Sequence, residues 1–243
     1  MLIKLDNPAS FLRSIEIISE LVTEGRIKIG EYGLSITAID PANVAMVSYR
    51  IPRSSFSEFE AEAVEETLGV NLDSLKKVLK RCGSRSSLIL KKNGNLLEID
   101  ILDRIKRNFS LNLIEIESED KKMPNLEYSS IVEISSIDLI ASIEDCAVVA
   151  DACSFEIKNG KFIIEAKNID SARSEFSGDE VKIQAEESKS KYSLEYMQKF
   201  LKGAKMSEKT ILRFANDHPL KMDFRTEHME LSFILAPRVE TED

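Results

Sequence analysis

Cysteine, histidine and glycine are all scarce in this 243-residue chain, and each scarcity removes a class of chemistry. Three cysteines, Cys82, Cys146 and Cys153, cannot pair completely and show no C-x-x-C spacing, so neither a disulfide framework nor a zinc site is expected. They read as small buried hydrophobes. The two histidines, His218 and His228, form no H-E-x-x-H or comparable ligand pattern, and His218, set before Pro219 in a turn, reads as a surface residue. Nine glycines spread thinly leave no place for a phosphate-cradling loop, and the nucleophile elbow G-x-S-x-G is also missing. No apolar run approaches the ~20 residues of a membrane span, and MLIKLDNPASFL lacks the apolar stretch and cleavage site of a signal peptide. The chain is therefore expected to stay in the cell and off the membrane, which empties the glycosylation pattern at Asn108-Phe109-Ser110 of meaning. Carboxylates are plentiful but gather in runs that read as exposed, where no acid–base pair stands out. Neither enzyme activity nor a metal or cofactor is expected.

Hydrophobic residues make up 43% of the chain, ample for a core in one large domain or two ordinary ones. A net charge of −9 argues against nucleic acid if the charge is spread evenly, because phosphate binding rests on Lys and Arg displacing counterions. It is not spread evenly. Acid gathers in EFEAEAVEE (58–66), EIESED (115–120) and the terminal ETED, while SLKKVLKRCG (74–83) packs four cations into six positions.

The chain repeats itself. IGEYGLSITA (29–38) matches IKNGKFIIEA (157–166), NLDSLKKVLK (71–80) matches SLEYMQKFLK (193–202), and NGNLLEIDI (93–101) matches NDHPLKMDF (216–224). The blocks keep their order at nearly constant shift, which describes two copies of one α+β fold, read as βαβββ-type repeats. In each copy an amphipathic helix (Ala9 to Thr23; Ser136 to Ala150) precedes strands rich in β-branched residues. A second helix follows, capped by Asn71 or Ser193 and stopped by Gly83 or Gly203. The expected division is 1–116, a charged connector over 117–128, and 129–243. On a wheel of about 100° per residue, Leu72, Leu75, Val78 and Leu79 share one arc, and Lys76, Lys77, Lys80 and Arg81 the opposite one. The twin helix repeats this more weakly with Lys199 and Lys202, joined by Glu195. A solvated helix face is the plain alternative; recurrence in both copies argues against it.

ITAIDPANVAMVSYRIP (36–52), LGVNLDSLKKVLKRCG (68–83), MPNLEY (123–128) and FILAPRVE (233–240), together with the repeat, resemble the DNA polymerase sliding clamp family, proliferating cell nuclear antigen, in its archaeal form. The resemblance runs from end to end. It implies a homotrimeric ring around duplex DNA, helices lining the hole and sheets outside, which gives a polymerase processivity and docks replication and repair proteins. It implies Arg13, Lys76, Lys77, Lys80, Arg81, Lys199 and Lys202 as DNA-facing residues making weak, non-specific contacts. Glu20, Glu195 and the helix over 136–150, which has no Lys or Arg, depart from an evenly positive lining.

The resemblance implies a subunit interface in which Asn108, Ser110, Leu111 and Leu113 meet Ala172, Ser174 and Phe176 of a neighbouring copy by strand addition. It also implies a pocket for client peptides, short motifs of glutamine, hydrophobic and paired aromatic residues carried by polymerase, clamp loader, nuclease and ligase. That pocket is given to Ile39, Asn43, Val44, Met46, Met123, Pro219, Ile234, Ala236, Pro237 and Arg238, with Lys121 and Lys122 standing where relatives are more apolar. A nucleic-acid module without a ring, and one subunit of a heterotrimer, are the alternatives. The location implied is the cytoplasm beside the nucleoid, or the nucleus for a eukaryotic source.

Overall fold

A computed structural model describes residues 1–61, 65–117 and 120–238. Parts of the acidic runs at 58–66 and 115–120, and all of ETED, lie outside the described residues. The chain divides into two compact units. Unit 1 comprises Met1–Pro41, Val47–Met123 and Glu227–Leu231; unit 2 comprises Ala42–Met46, Pro124–Thr226 and the stretch from Ser232 on.

The first run of elements is β1 (Leu2–Leu5), α1 (Ala9–Ile18), β2 (Glu24–Gly30), β3 (Gly33–Ile39), β4 (Ala45–Pro52), β5 (Glu58–Glu60), β6 (Glu66–Asn71), α2 (Leu72–Leu79), β7 (Ser87–Asn93), β8 (Leu96–Leu102) and β9 (Arg107–Asn112). The second is β10 (Ser130–Ser135), α3 (Ser136–Val149), β11 (Ala152–Lys158), β12 (Lys161–Lys167), β13 (Ser171–Phe176), β14 (Lys182–Ala185), β15 (Ser188–Ser193), α4 (Leu194–Ala204), β16 (Lys209–Phe214), β17 (Leu220–Arg225) and β18 (Glu230–Leu235). The two runs have the same grammar, and each contains the βαβββ motif twice: β1–β4 around α1, β6–β9 around α2, and likewise in the second run. The sequence reading found the repeat but not this inner doubling, because it missed the short strands that open each run.

In unit 1 the strand orders are β5–β1–β7–β8–β9 and β6–β2–β3–β4; in unit 2 they are β14–β10–β16–β17–β18 and β15–β11–β12–β13. Strand burial alternates as a sheet with one covered face requires: Gly25, Ile27 and Ile29 of β2 are buried, Arg26 and Lys28 only partly. Gly33 opens β3 at φ +123°, where a Cβ would sit 2.1 Å from the Ile51 carbonyl oxygen, so glycine alone fits this hairpin. Phe11 stacks near Tyr49 in the core of unit 1, while unit 2 is built around Phe155, Phe162, Tyr192 and Phe214, with Phe200 stacked 4.2 Å from Phe233.

Asn71 caps α2 as expected, its Oδ1 accepting from Ser74 N–H at 2.8 Å. Helix ends differ from the sequence reading in three places. α1 stops at Ile18 and not near Thr23, because Ser19 Oγ donates to the Glu16 carbonyl and the next N–H groups turn tighter, Glu20 to Ile17 and Leu21 to Ile18. α2 ends at Leu79, ahead of Gly83, in a similar turn. α4 runs through Gly203, which is buried, so that glycine is a small packing residue and not a stop.

Each unit also buries a carboxylate, and the two stand at matching positions of the repeat. Asp100 of β8 is 7% exposed and accepts from Asn108 Nδ2 at 2.8 Å and Lys91 Nζ at 3.2 Å. Asp223 of β17 is 1% exposed, pairs with Arg213, and accepts from Ser232 Oγ at 2.5 Å. The register makes the two centres equivalent: Ile89 faces Asp100 as Ile211 faces Asp223.

Candidate functional site

The helix surfaces come first. In unit 1, Arg13, Lys77, Lys80 and Arg81 are exposed and Lys76 is half-buried. Lys76 Nζ donates to Asp73 Oδ1 at 2.7 Å and to Ser19 Oγ at 3.0 Å, and that contact holds the Asp73 carboxyl below its ordinary range. Lys80 lies 3.2 Å from Glu16 of α1. Arg13, Lys77 and Arg81 make no ion pair among the described residues. Arg81 stands in the turn after α2, two residues beyond its last residue Leu79 and one past the C-cap Lys80. The mean result is a cationic surface with part of its charge already matched.

Unit 2 is different. α3 exposes Asp138, Glu144 and Asp145 beside Ile137 and Val148, which are 77% and 83% exposed. On α4, Lys199 is half-buried, 3.1 Å from Glu195 and 5.0 Å from the centre of the Tyr196 ring. Lys202 is exposed. Lys205 at the C-cap of α4 is also exposed and makes no ion pair among the described residues. It was missed because it falls just past the block matched between the repeats.

The strands given to the subunit interface are both sheet edges. Among the described residues β9 pairs only with β8, and β13 only with β12. Asn108 and Ser110 on β9 are exposed, Leu111 half-buried; Ala172, Ser174 and Phe176 on β13 are half-buried. Leu113 lies just beyond β9, its N–H bound to the Asn95 carbonyl. The other six-residue edges are covered by their own chain. Ile114 N–H donates to Gly69 O of β6 at 2.9 Å, and Arg238 N–H donates to Lys191 O of β15 at 2.7 Å. Gly69 permits the first approach, since a Cβ there would lie 2.0 Å from the Ile114 oxygen.

For the client pocket, unit 2 brings two of the expected segments together, with Ala236 N–H donating to Val44 O at 2.9 Å. Asn43 takes a left-handed φ of 56°, which turns the chain there, and Val44, Met46, Ala236, Pro237 and Pro219 are half-buried. Ile234 is 7% exposed, mostly a core residue. Arg238 is committed elsewhere: its guanidinium lies 2.9 Å from Asp151 and holds that carboxyl below its ordinary range. Ile39 and Met123 belong to unit 1, both half-buried.

His218 is not the surface residue expected. It is half-buried, its ring edge-on to Tyr128 with centroids 5.4 Å apart, and Tyr192 donates to its carbonyl at 2.8 Å. Burial pushes the Tyr128 phenol up to about 12. Tyr128 and His218 thus brace the loop carrying Pro219, a link across ninety residues of sequence that local pattern does not carry. Of the cysteines, Cys146 and Cys153 are buried and Cys82 half-buried, so the small-hydrophobe reading holds fully for two. Among the described residues no group of His, Cys, Asp and Glu is arranged to hold a metal, and no helix is long and apolar enough to cross a membrane.

Comparison with known proteins gives two family matches. Residues 1–122 match the N-terminal domain of proliferating cell nuclear antigen, and residues 122–239 its C-terminal domain. The DNA polymerase sliding clamp of Pyrococcus horikoshii is 34% identical over 251 aligned residues, covering 98% of each chain. That of Thermococcus onnurineus is 35% identical with the same coverage. Among solved structures, PCNA from Thermococcus kodakaraensis superimposes with a TM-score of 0.90 at 26% identity, over 98% of this chain and 99% of that one.

Proposed function

The chain belongs to the proliferating cell nuclear antigen family, and is a DNA sliding clamp, partner of DNA and DNA polymerase and not an enzyme; from that premise we propose that it works as a homotrimeric ring closed through β9 and β13. The single observation supporting this is the choice of open edges. An edge strand is a template for pairing, and proteins cover the ones they do not use. Among the described residues β6 and β15 are contacted along their outer edges by their own chain, while β9 and β13, one in each unit and six residues long, are left open. A head-to-tail contact between two different edges closes into a ring when the rotation fits.

A closed ring holds duplex DNA topologically, so its cations need supply only weak contacts. Arg13, Lys76, Lys77, Lys80, Arg81, Lys199 and Lys202 are the residues assigned to that task, with Lys205 added. Partial matching of Lys76, Lys80 and Lys199 by neighbouring acids suits sliding, since each unmatched phosphate contact steepens the salt dependence of binding. Clients dock through short apolar motifs, with Asn43, Val44, Met46, Pro219, Ile234, Ala236 and Pro237 as the unit 2 contribution. Polymerase, loader, nuclease and ligase are the client classes, and the cytoplasm, with the DNA, is the location. We take 1–116 and 129–243 as the two clamp repeats and 117–128 as their connector, which forms no helix or strand among the described residues.

The test is mass in solution. Light scattering on the unaltered protein should give three times the 27.4 kDa of one chain. Ser110→Asp together with Ser174→Asp puts a carboxylate on each open edge, and like charges on facing strands repel. That variant should run as a monomer with unchanged circular dichroism. A monomeric unaltered protein at micromolar concentration, or a double variant that stays trimeric, removes this pairing.

A further inference from the structure

We infer that unit 1 carries a second docking element, a cationic cleft on the sheet face turned away from its helices, which receives acidic residues flanking a client's apolar motif. It rests on the client reading above and extends it. The sheet face is fixed by β2: a Cβ on Gly25 would touch Leu72 of α2, so Gly25, Ile27 and Ile29 point at the helices, and Arg26 and Lys28 point the other way. On that far side lies a cavity of about 270 Å³, large enough for one or two side chains and far too small for a duplex. Its hydroxyl floor comes from Ser35, Thr37 and Ser48 of β3 and β4.

Charge decides what fits. Among the described residues five cations line the cleft, Arg26, Lys28, Arg50, Lys121 and Lys122, against two carboxylates, Glu65 and Asp120. Both carboxylates lie against one cation: Glu65 is 3.3 Å from Lys28, and Asp120 pairs with it directly while also feeling the charges of Arg26 and Lys122. Arg26 Nη2 donates to the Ile116 carbonyl at 2.5 Å, which ties the chain entering the connector to β2. Arg50, Lys121 and Lys122 are exposed and make no ion pair among the described residues. Three cations without an ion pair among the described residues, around a hydroxyl floor on a protein of net charge −9, are a local reversal of sign. A carboxylate entering there meets donors that the protein does not satisfy itself.

The occupant follows from position. Met123, which the family resemblance gives to the client pocket, lines the same cleft. Lys121 and Lys122 immediately precede it, so a client held at Met123 passes the cations with its neighbouring residues. The face away from the helices is not the one assigned to encircled DNA. Acidic peptide flanks therefore fit better than nucleic acid.

Fluorescence anisotropy on the full chain tests this with two synthetic peptides. Both share a core of glutamine, hydrophobic and paired aromatic residues; one has Asp and Glu on both flanks, the other Ser. At low salt the acidic peptide should bind about tenfold tighter, the scale of a few exposed charge pairs, with the gap closing as salt rises. Arg50→Ala/Lys121→Ala/Lys122→Ala, all surface changes, should leave the thermal midpoint unchanged and bring the two peptides to equal affinity. Equal binding of both peptides to the unaltered chain overturns the cleft and leaves the client reading standing. Binding of neither overturns the client reading and the cleft with it. A gap that survives the triple substitution places the acid elsewhere and also overturns the proposal. So does a triple variant that keeps the gap and instead loses salt-dependent binding of a short single-stranded oligonucleotide.

Discussion

The two units bury a carboxylate at the same point of the same fold and yet dress their helices with different charge. Lys91, Asp100 and Asn108 in unit 1 correspond strand for strand to Arg213, Asp223 and Ser232 in unit 2. On the helices the match is only partial: Lys77 and Lys80 recur as Lys199 and Lys202, but where α2 has Lys76 and its following turn Arg81, α4 has Gln198 and Gly203, and α3 has no cation at all. The difference separates two kinds of constraint. A buried carboxylate must keep its donors or leave a charge unsolvated, whereas an exposed helix face is free to change sign at little cost to the fold. The faces that differ between otherwise matching units are where function is read, and the proposed assignment gives unit 1 most of the contact with DNA.

Breaking the buried centres should have the largest effect and should not be symmetric. Asp223→Ala leaves Arg213, whose side chain is 23% exposed, without its counter-charge. The expected loss is about 3–5 kcal/mol, read by urea unfolding. Asp100→Ala leaves Lys91, 38% exposed and able to turn toward water. That loss should be nearer 1–3 kcal/mol. Equal losses would mean that cation exposure does not set the difference between the two centres.

Much of this fold is legible in the sequence, and the illegible part has a common cause. The repeat, the cap at Asn71 and the inward face of α2 depend on residues within one or two turns of each other, where period and chemistry decide. The burial of Asp100 is not legible locally: alternation along β8 puts it on the outward face between Ile99 and Ile101, and Lys91 and Asn108, from the strands on either side, then cover it. The same holds for Glu16 against Lys80, for Tyr128 against His218, and for the cleft whose parts come from β2, β3, β4 and the connector. Which edges stay open was equally hidden, since covering β6 takes Ile114 and covering β15 takes Arg238.

Reversing helix charge should have a smaller effect, and a graded one. Lys77→Glu/Lys80→Glu in unit 1 should lower stimulation of a polymerase on primed circular DNA by about tenfold, the equivalent of one or two exposed charge contacts reversed. Lys199→Glu/Lys202→Glu, at the matching positions of unit 2, should lower it about threefold, because Lys199 is already engaged by Glu195 and the Tyr196 ring. Both variants should keep the oligomeric state of the unaltered protein. A unit 2 variant that loses more than the unit 1 variant would invert the assignment of DNA contact between the units.

The smallest effect sharpens the comparison of buried centres through pH. The Asn108 amide, and then Lys91, hold the Asp100 carboxyl below its ordinary range in the folded protein. A carboxyl with a depressed folded pKa binds its proton more readily in the unfolded chain, so its contribution is complete above the unfolded value of about 3.9 and is lost as pH falls through the folded value. Asp100→Asn keeps the shape and removes the titration. The stability difference between unaltered protein and Asp100→Asn should therefore be constant from neutral pH down to about 5 and shrink steadily below about 4. Asn108→Ala in the unaltered background should make stability fall at a higher pH, since the donor that contributes most to the depression is gone. A difference that stays level through the acid range, or grows there, would mean that Asp100 is held by its surroundings as a neutral acid. The equivalence of the two buried centres would then be one of position alone.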